Sequence, residues 1–413
     1  MADSPRVGHT DSIASQDSGN KSNEKKKSRR PANTAFRQQR LKAWQPILTP
    51  KTVLPLFFSI GIIFAPIGGL LLYASAQVQE LSIDYTNCVA EAPNSTTSFD
   101  SVPSKYVFSQ FKNQSDLLIQ WRQEPINVTF GPNTNTTQNC ILQFQIPEDM
   151  GPPVLFYYQL TNFFQNHRRY VSSFDADQLV AKSGYDSVSS DCDPLTTDGS
   201  TGKDYYPCGL IANSVFNDTF TNLTSVGTSG GNYNMTEKGI AWNSDKSLYK
   251  KTTLDPSTIS PPPNWMVRYP DGYSDDNPPP DISQDEHFMV WMRTAALPSF
   301  SKLYMRNDAD TLQAGTYQLN ITNWFPASVY KGTKSIVIST RTVMGGRNPF
   351  LGIAYVVVGG ICILLGVLFT VTHLLKPRKL GDHTYLSWNN APAGKGPTTG
   401  VASGRDLGPQ GQA

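Results

Sequence analysis

The side chains that could perform chemistry are few in this sequence, and their spacing forms no recognisable active site. Its five histidines are never spaced as metal ligands. The run Asp285-Glu286-His287 could supply a general acid and a general base, but no nucleophile motif accompanies it. The phosphate-binding loop G-x-x-x-x-G-K-[ST] and the zinc-binding pattern H-E-x-x-H are also absent. We therefore predict no catalytic residue, no metal site and no cofactor.

The cysteines offer a chemistry that depends on the compartment. The stretch "PCGLIANSVFNDTF", residues 207–220, contains a cysteine that could be a nucleophile, a metal ligand or half of a disulfide. Four cysteines lie between two long apolar segments, and a fifth lies inside the second segment. In an oxidising compartment this even number predicts two disulfides. The four are Cys88, Cys140, Cys192 and Cys208, and the fifth is Cys362.

The two apolar segments predict membrane-spanning helices. They cover residues 53–76 and 349–375, and neither contains Asp, Glu, Lys or Arg. Each is longer than the about 20 apolar residues that a helix needs to cross a bilayer. The sequence therefore predicts an integral membrane protein with two transmembrane helices.

The charges around these segments predict their orientation. Residues 1–52 carry 11 basic and 4 acidic side chains, and residues 376–413 carry 5 and 2. Residues 77–348 carry 19 basic and 27 acidic side chains. Basic residues next to a span remain on the cytosolic side. We therefore expect both termini in the cytosol and residues 77–348 in a lumenal or extracellular domain, called the ectodomain below.

Acceptor sequences for N-glycans agree with this orientation. Eight Asn-x-Ser/Thr sequences lie in the ectodomain, where the glycosylation machinery could reach them. We predict glycans on those acceptors that are exposed and clear of the membrane. The eight are Asn94, Asn113, Asn127, Asn135, Asn217, Asn222, Asn234 and Asn320.

The cytosolic segments have biased compositions. Residues 1–32 are rich in Ser, Lys and Asp, and residues 376–413 are rich in Gly and Pro, so both tails are predicted to be disordered. Residues 33–52 form a basic juxtamembrane segment, in which Asn33 or Thr34 could cap a short helix. Before it, the basic run "KKKSRR" at residues 25–30 could bind nucleic acid, but beside a membrane it favours contact with anionic lipid.

The ectodomain sequence favours β-structure joined by long loops. Four stretches combine aromatic and β-branched residues and are interrupted by Pro or Gly, which is typical of strands. Two further stretches, residues 153–173 and 287–304, fit a helix or a strand equally well, and the Pro-rich residues 259–281 predict a loop. The four predicted strand regions are residues 117–130, 140–150, 316–330 and 334–340.

Small residues recur at helical spacing within both predicted spans. Such stripes let helices approach closely in lipid, so we predict a packing role for them. They fall at i, i+4 and i+8 of each span. The residues are Gly61, Ala65 and Gly69 in the first span and Cys362, Gly366 and Thr370 in the second.

With this topology in place, five long stretches resemble the signature blocks of the Cdc-fifty/Lem family. This family comprises the two-span β-subunits of type-IV P-type ATPases, the lipid flippases. The resemblance extends from about residue 33 to residue 380. The five stretches are "YYQLTNFFQNHRRYVSS", "PCGLIANSVFNDTF", "GIAWNSDKSLY", "DEHFMVWMRTAALPSFSKLY" and "GTKSIVIST" continuing to "MGGRNPFLGIAYVVVGG".

The resemblance implies a glycosylated ectodomain with an antiparallel β-sandwich-like core. Of the three pairings that four cysteines allow, it implies Cys88–Cys140 and Cys192–Cys208, which also close the shorter loops. It further implies a non-catalytic subunit whose ectodomain caps the lumenal loops of a catalytic ATPase and whose spans pack beside that ATPase's last helix. Such a subunit supports exit of the ATPase from the endoplasmic reticulum, its activity, and phospholipid movement from the exoplasmic to the cytosolic leaflet.

The residues alone leave two other classes of protein open. A receptor or adhesion protein would bind a soluble ligand through its ectodomain and would need no ATPase. A lumenal glycosidase or lipid hydrolase would use Asp and Glu side chains and would lose activity when they are replaced. Nor does the sequence distinguish the endoplasmic reticulum, the Golgi or endosomes, and the plasma membrane as its location.

Overall fold

The computed structural model describes residues 34–41, 48–112, 117–227, 231–341 and 346–377. The chain divides into two units, of which one comprises residues 1–55 and 372–413 and the other comprises residues 56–371. In the first unit, the predicted helix near Thr34 is reduced to a turn over residues 35–39, where the Arg37 N–H lies 3.3 Å from the Thr34 hydroxyl oxygen. Residues 1–33 and 42–47, and the predicted C-terminal tail from residue 378 onwards, lie outside the described residues.

The helices of the described chain include two long ones and six short ones. The long helices confirm the two predicted spans, because both are apolar and long enough to cross a membrane. The first begins at a proline, whose backbone angle already suits a first helical position. In chain order the helices are α1 (Pro50–Ala76), α2 (Cys88–Glu91), α3 (Arg168–Ser172), α4 (Ala176–Leu179), α5 (Gly209–Asn213), α6 (Asn243–Lys246), α7 (Glu286–Met292) and α8 (Phe350–Leu375).

The strands lie between the two long helices and are mainly antiparallel. The four predicted strand regions all contain strands, although the region at residues 316–330 ends in a 3-10 turn. In chain order the strands are β1 (Glu80–Asp84), β2 (Asp100–Ser101), β3 (Val107–Gln110), β4 (Ile119–Phe130), β5 (Asn133–Ile146), β6 (Val154–Leu160), β7 (Asp204–Tyr205), β8 (Thr219–Phe220), β9 (Thr224–Ser225), β10 (Ile259–Ser260), β11 (Phe300–Asn307), β12 (Gly315–Asn323) and β13 (Lys334–Thr340).

Two larger sheets organise these strands. The first has the order β11-β6-β13-β1-β3, and the second has the order β2-β4-β5-β12-β8, with β9 also paired to β12. Apolar side chains alternate along β5, β6 and β12, so one face of each sheet is buried. The two buried faces meet where the Phe156 and Phe220 rings lie 5.1 Å apart. The ectodomain is thus mainly antiparallel, as predicted, with its two sheets sharing one core.

Tertiary context decides the two ambiguous stretches. Residues 153–173 begin as β6 and end in α3, because β6 is an interior strand of the first sheet. Residues 287–304 begin within α7 and end in β11. The Pro-rich residues 259–281 contain β10 and one 3-10 turn but are otherwise irregular, as their composition predicts.

Candidate functional site

The acidic run at residues 285–287 has a structural role. Asp285 Oδ1 accepts a hydrogen bond of 2.9 Å from the Phe288 N–H and thereby caps the N-terminus of α7. His287 Nε2 lies 3.2 Å from a carboxylate oxygen of Glu237. Among the described residues, no group of three or more His, Cys, Asp and Glu side chains could hold a metal ion.

Glu286, the middle residue of this run, leads to a prediction about how stability depends on pH. Burial raises the pKa of its carboxyl, but the Ala241 N–H at 3.0 Å and the Lys246 ammonium at 2.9 Å outweigh burial and hold the pKa at about 2. Such a carboxylate stabilises the fold above its unfolded pKa of about 4.3, and this stabilisation is lost as the pH falls towards the folded pKa. We expect Glu286→Gln to lower the free energy of unfolding by about 1–3 kcal/mol at neutral pH.

The difference between wild type and Glu286→Gln should shrink between about pH 5 and about pH 2, where the wild-type carboxylate becomes protonated. Denaturant unfolding across this pH range measures it. Asp275→Asn, which replaces an exposed carboxylate, serves as the control. A difference that stays constant over the range would contradict the role assigned to the charged form of Glu286.

The cysteines are joined in the pairs that the resemblance implies. Cys88 is bonded to Cys140, and Cys192 is bonded to Cys208. All four are buried, whereas Cys362 is a free, half-buried thiol in α8. In the structure, Cys208 of "PCGLIANSVFNDTF" is therefore half of a disulfide and neither a nucleophile nor a metal ligand.

The rest of that stretch packs tightly against the chain that follows α3. Gly209 has a backbone φ of +93°, and a Cβ added to it would lie 2.2 Å from the Ser173 carbonyl oxygen. Only glycine fits there without a backbone shift. The Cys208 N–H donates to Gln178 Oε1 at 2.9 Å, which fixes the start of α5.

Asp218, in the same stretch, forms a buried ion pair that sequence analysis missed. Its carboxylate lies 2.6 Å from the Lys334 ammonium, and the two side chains are 0% and 3% exposed. The N–H groups of Trp324 and Phe325 each donate to Asp218 Oδ1 at 2.6 Å, and the Tyr85 hydroxyl donates to Oδ2 at 2.9 Å. The pair therefore connects the ends of β1, β12 and β13, which belong to both large sheets.

The electrostatics of this pair reflect its burial. Burial lowers the pKa of Lys334, and the adjacent Asp218 carboxylate opposes that change. Burial, followed by the same carboxylate, raises the pKa of Tyr85 well above its usual value, so the phenol remains a neutral donor. The arrangement holds the two sheets together and shows no group free to react.

Lys302 caps the C-terminus of α7. Its ammonium donates to the carbonyl oxygens of Val290, Trp291 and Arg293 at 2.8, 2.9 and 2.5 Å. These carbonyls end a helix, where a cation is favoured. Burial, with a smaller effect of the nearby Arg293 charge, lowers the pKa of Lys302 to about 7.

The two long helices contact each other through small residues spaced by seven. A Cβ added to Gly68 would lie 2.8 Å from the Val356 backbone nitrogen and 2.9 Å from the Gly352 carbonyl oxygen, so glycine permits close backbone contact. A spacing of seven keeps side chains on one seam between two helices. The buried residues of this seam are Gly61, Gly68 and Ser75 in α1 and Gly352, Gly359 and Gly366 in α8.

The predicted stripe in α1 coincides only in part with the seam between α1 and α8. Gly61 and Ala65 lie on the seam, since both contact Gly359. Gly69 does not, because a Cβ added there would meet nothing within 4 Å. Seven residues return a helix to within about 20° of the same direction, but eight carry it well past the seam. Gly68 therefore lies on the seam with α8, and the packing role predicted for Gly69 stays a prediction.

The predicted stripe in α8 likewise coincides only in part with the seam. A Cβ on Gly366 would lie 3.2 Å from the Phe58 ring, so Gly366 faces α1. The Thr370 hydroxyl instead donates to the Gly366 carbonyl oxygen of its own helix at 2.7 Å. Cys362 is half-buried.

Adjacent glycines allow a matched test of the seam. We expect Gly68→Leu to destabilise the helix pair by about 1–3 kcal/mol, because a larger side chain cannot fit against Val356. Gly69→Leu, beside it in α1, should leave the stability of the isolated chain unchanged. Thermal unfolding in mild detergent, followed by circular dichroism, compares them. Equal effects of the two substitutions would refute the seam.

The predicted glycan acceptors differ in accessibility. Asn113 lies outside the described residues. Asn135 and Asn320 are half-buried, and Asn135 Nδ2, the atom that would carry a glycan, donates to the Val267 carbonyl oxygen at 2.6 Å. The exposed acceptors are Asn94, Asn127, Asn217, Asn222 and Asn234.

Comparison with known proteins identifies relatives over nearly the whole chain. The family model described as "LEM3 (ligand-effect modulator 3) family / CDC50 family" matches residues 71–379. The "Phospholipid-transporting ATPase accessory subunit CDC50" of Chaetomium thermophilum is 45% identical, over 88% of this chain and 93% of that protein. The "Phospholipid-transporting ATPase accessory subunit CRF1" of Saccharomyces cerevisiae is 46% identical, over 88% and 90%.

A plant relative extends the same similarity. The "ALA-interacting subunit 3" of Arabidopsis thaliana is 36% identical, over 92% of this chain and 96% of that protein. The family match covers the end of α1, the β-sheet domain and α8. The chain therefore belongs to the LEM3 (ligand-effect modulator 3)/CDC50 family.

Proposed function

We propose that this chain is the non-catalytic accessory subunit of a phospholipid-transporting ATPase of the P-type-IV class. The observation that carries the proposal is its similarity, over nine-tenths of each chain, to proteins whose names state that role. The structure supports it, because two apolar helices and a β-sheet domain held by buried polar pairs resemble a binding partner more than an enzyme. The rival readings, a lone receptor and a lumenal hydrolase, have no comparable support.

The mechanism that we propose is differential binding. This chain would hold some conformations of the ATPase more tightly than others and shift their populations by that difference in affinity. The ectodomain would contact the lumenal loops of the ATPase, and the lipid-facing side of the long helices would contact its last helix. Gly69 fits the second contact, since it leaves space on the side of α1 that α8 does not cover.

The location that we propose follows from the charges beside the spans. Both termini would lie in the cytosol and the ectodomain in the lumen or outside the cell. Residues 1–32 and 376–413 would be cytosolic tails, and the basic stretch from Lys25 to Lys42 would contact anionic lipid or the cytosolic face of the ATPase. The chain would accompany its ATPase out of the endoplasmic reticulum to the Golgi, endosomes or plasma membrane.

N-glycans would mark the lumenal face of the ectodomain. We expect modification at the exposed acceptors, such as Asn94 and Asn234, and low occupancy at Asn135, whose amide is engaged with Val267. Peptide mapping after glycosidase treatment measures occupancy at each acceptor. Full occupancy of Asn135 would contradict the accessibility argument, and a chain without any glycan would contradict the topology.

Co-purification and reconstitution test the function itself. In mild detergent, the tagged chain should bring down a P-type ATPase. In liposomes, the ATPase with this chain should hydrolyse ATP and move phospholipid, and either protein alone should do so weakly or not at all. Equal rates with and without the chain would refute the subunit role, as would lipid movement by the chain alone.

A further inference from the structure

A cleft of about 740 Å³ opens beside the first sheet, between β6, β11 and residues 239–245. Its lining is basic, although the ectodomain as a whole has more acidic than basic residues. Among the lining residues, Asp245 is the one carboxylate. The cations are Arg293, Lys302, Arg306 and Arg341.

Two of these cations are already used within the fold. Arg293 pairs with Asp245 at 2.9 Å, and its guanidinium carbon lies 3.1 Å from the centre of the Trp242 ring. Lys302 donates to the carbonyls that end α7. These two residues shape the cleft wall and have little capacity left for a ligand.

The other two cations retain donors for a ligand. Arg341 is exposed and makes no hydrogen bond or ion pair within the part of the chain that the structure describes. Arg306 donates to Gly239 and Asp308 through one bond from each terminal nitrogen, and its side chain remains 24% exposed. A guanidinium carries two N–H groups on each terminal nitrogen, so those not used within the fold can donate to a ligand.

Arg306 and Arg341 face the same part of the cleft. Both act on Tyr157, which lies in the lining: burial raises the pKa of the Tyr157 phenol, and the two positive charges oppose the rise. The backbone agrees, because Leu155 pairs with Arg306 on one side of β6 and with Ser339 on the other.

This part of the cleft lies close to the membrane. Thr340, which precedes Arg341, donates its N–H to the Gln79 carbonyl oxygen at 3.0 Å. Gln79 is only three residues beyond Ala76, where α1 ends, and three residues span at most about 11 Å. The lipid headgroups extend about 5–7 Å beyond the hydrocarbon core on each side. The Arg341 side chain can therefore reach headgroup depth from its backbone position.

The guanidinium groups of Arg306 and Arg341 suit a phosphate group. A guanidinium presents paired donors that match phosphate oxygens. We propose that the cleft binds the phosphate of an anionic phospholipid headgroup from the adjacent leaflet, through Arg341 and Arg306. The subunit would then hold a lipid of its own, independently of the transport site of any ATPase. Because the binding test uses this chain alone, its outcome is separate from that of the subunit proposal.

The test measures lipid retention by the full chain. The chain is purified in uncharged detergent, phosphatidylserine or phosphatidylcholine is added at equal concentration, and bound lipid is counted by native mass spectrometry. Wild type should prefer phosphatidylserine. Arg306→Gln/Arg341→Gln should bind it about tenfold more weakly or worse, since charged hydrogen bonds are lost. The control Lys250→Gln/Lys251→Gln removes two exposed charges elsewhere and should bind as wild type does.

Arg341→Gln alone provides a second variant, because Arg341 has no partner in the described residues whose loss could disturb the fold. It too should weaken phosphatidylserine binding. Unchanged binding by both variants would overturn the proposal. Displacement of the lipid by equal concentrations of inorganic phosphate would assign the cleft to free anions and overturn it. Loss of ATPase co-purification with unchanged lipid binding would assign it to a protein partner and overturn it.

Discussion

Asp218→Asn is expected to lower the free energy of unfolding of the ectodomain by about 3–5 kcal/mol, because it leaves a buried ammonium without its counter-ion. Asparagine has nearly the same volume, so no cavity explains the loss. The Lys334 side chain is 3% exposed and cannot turn to solvent without breaking the start of β13. The substitution also keeps the glycan acceptor at Asn217, since only the middle residue of that sequence changes.

A surface pair in the same domain provides the matched control. Lys182 and Asp177 are also 2.6 Å apart, but their side chains are 60% and 53% exposed. Asp177→Asn should change stability by only about 0–1 kcal/mol, because water solvates both partners. Denaturant unfolding of both variants makes the comparison. Equal losses would show that burial does not determine the strength of the Asp218 pair.

The double variant Asp218→Asn/Lys334→Met separates the cost of an unpaired charge from the worth of the pair. Removal of both charges leaves no buried ion, so the double variant should be more stable than Asp218→Asn alone. If it is no more stable than Asp218→Asn, the unpaired Lys334 ammonium is not the cause of the loss in the single variant.

Local patterns predicted the elements of this protein because local physics determines them. The absence of charge over residues 53–76 and 349–375 indicated α1 and α8, and the aromatic and β-branched residues of 117–130 indicated β4. The bounds shifted by a few residues, since Pro50 can start a helix before the apolar run begins. No pairing of strands could be derived, because register depends on partners far away in the sequence.

Contacts between distant residues account for what the sequence did not show. Asp218 and Lys334 are 116 residues apart, and nothing near either one indicates the other. The cleft likewise combines Arg306 with Arg341, which pairing across β6 brings together. The residues of the seam between α1 and α8 could not be derived for a different reason. A spacing of four and a spacing of seven both describe a helical stripe, and only the partner helix decides between them.

The second large effect concerns the disulfides. Cys88→Ala/Cys140→Ala should destabilise the ectodomain by about 4 kcal/mol, and Cys192→Ala/Cys208→Ala by about 3 kcal/mol, because the longer loop releases more chain entropy on unfolding. The two bonds span 52 and 16 positions. Cys362→Ala, which removes the free thiol, is the control and should leave the ectodomain unchanged.

The position of the longer bond strengthens this expectation. Cys140 lies in β5, an interior strand of the second sheet, and Cys88 begins α2, which follows β1 of the first sheet. In the unfolded chain, the Cys88–Cys140 bond therefore limits the separation of segments that form different sheets. Cys192–Cys208 constrains only a loop before α5. Denaturant unfolding of the two double variants compares them. A larger loss from removing Cys192–Cys208 would mean that packing around Gly209, rather than loop length, determines the contribution of each bond.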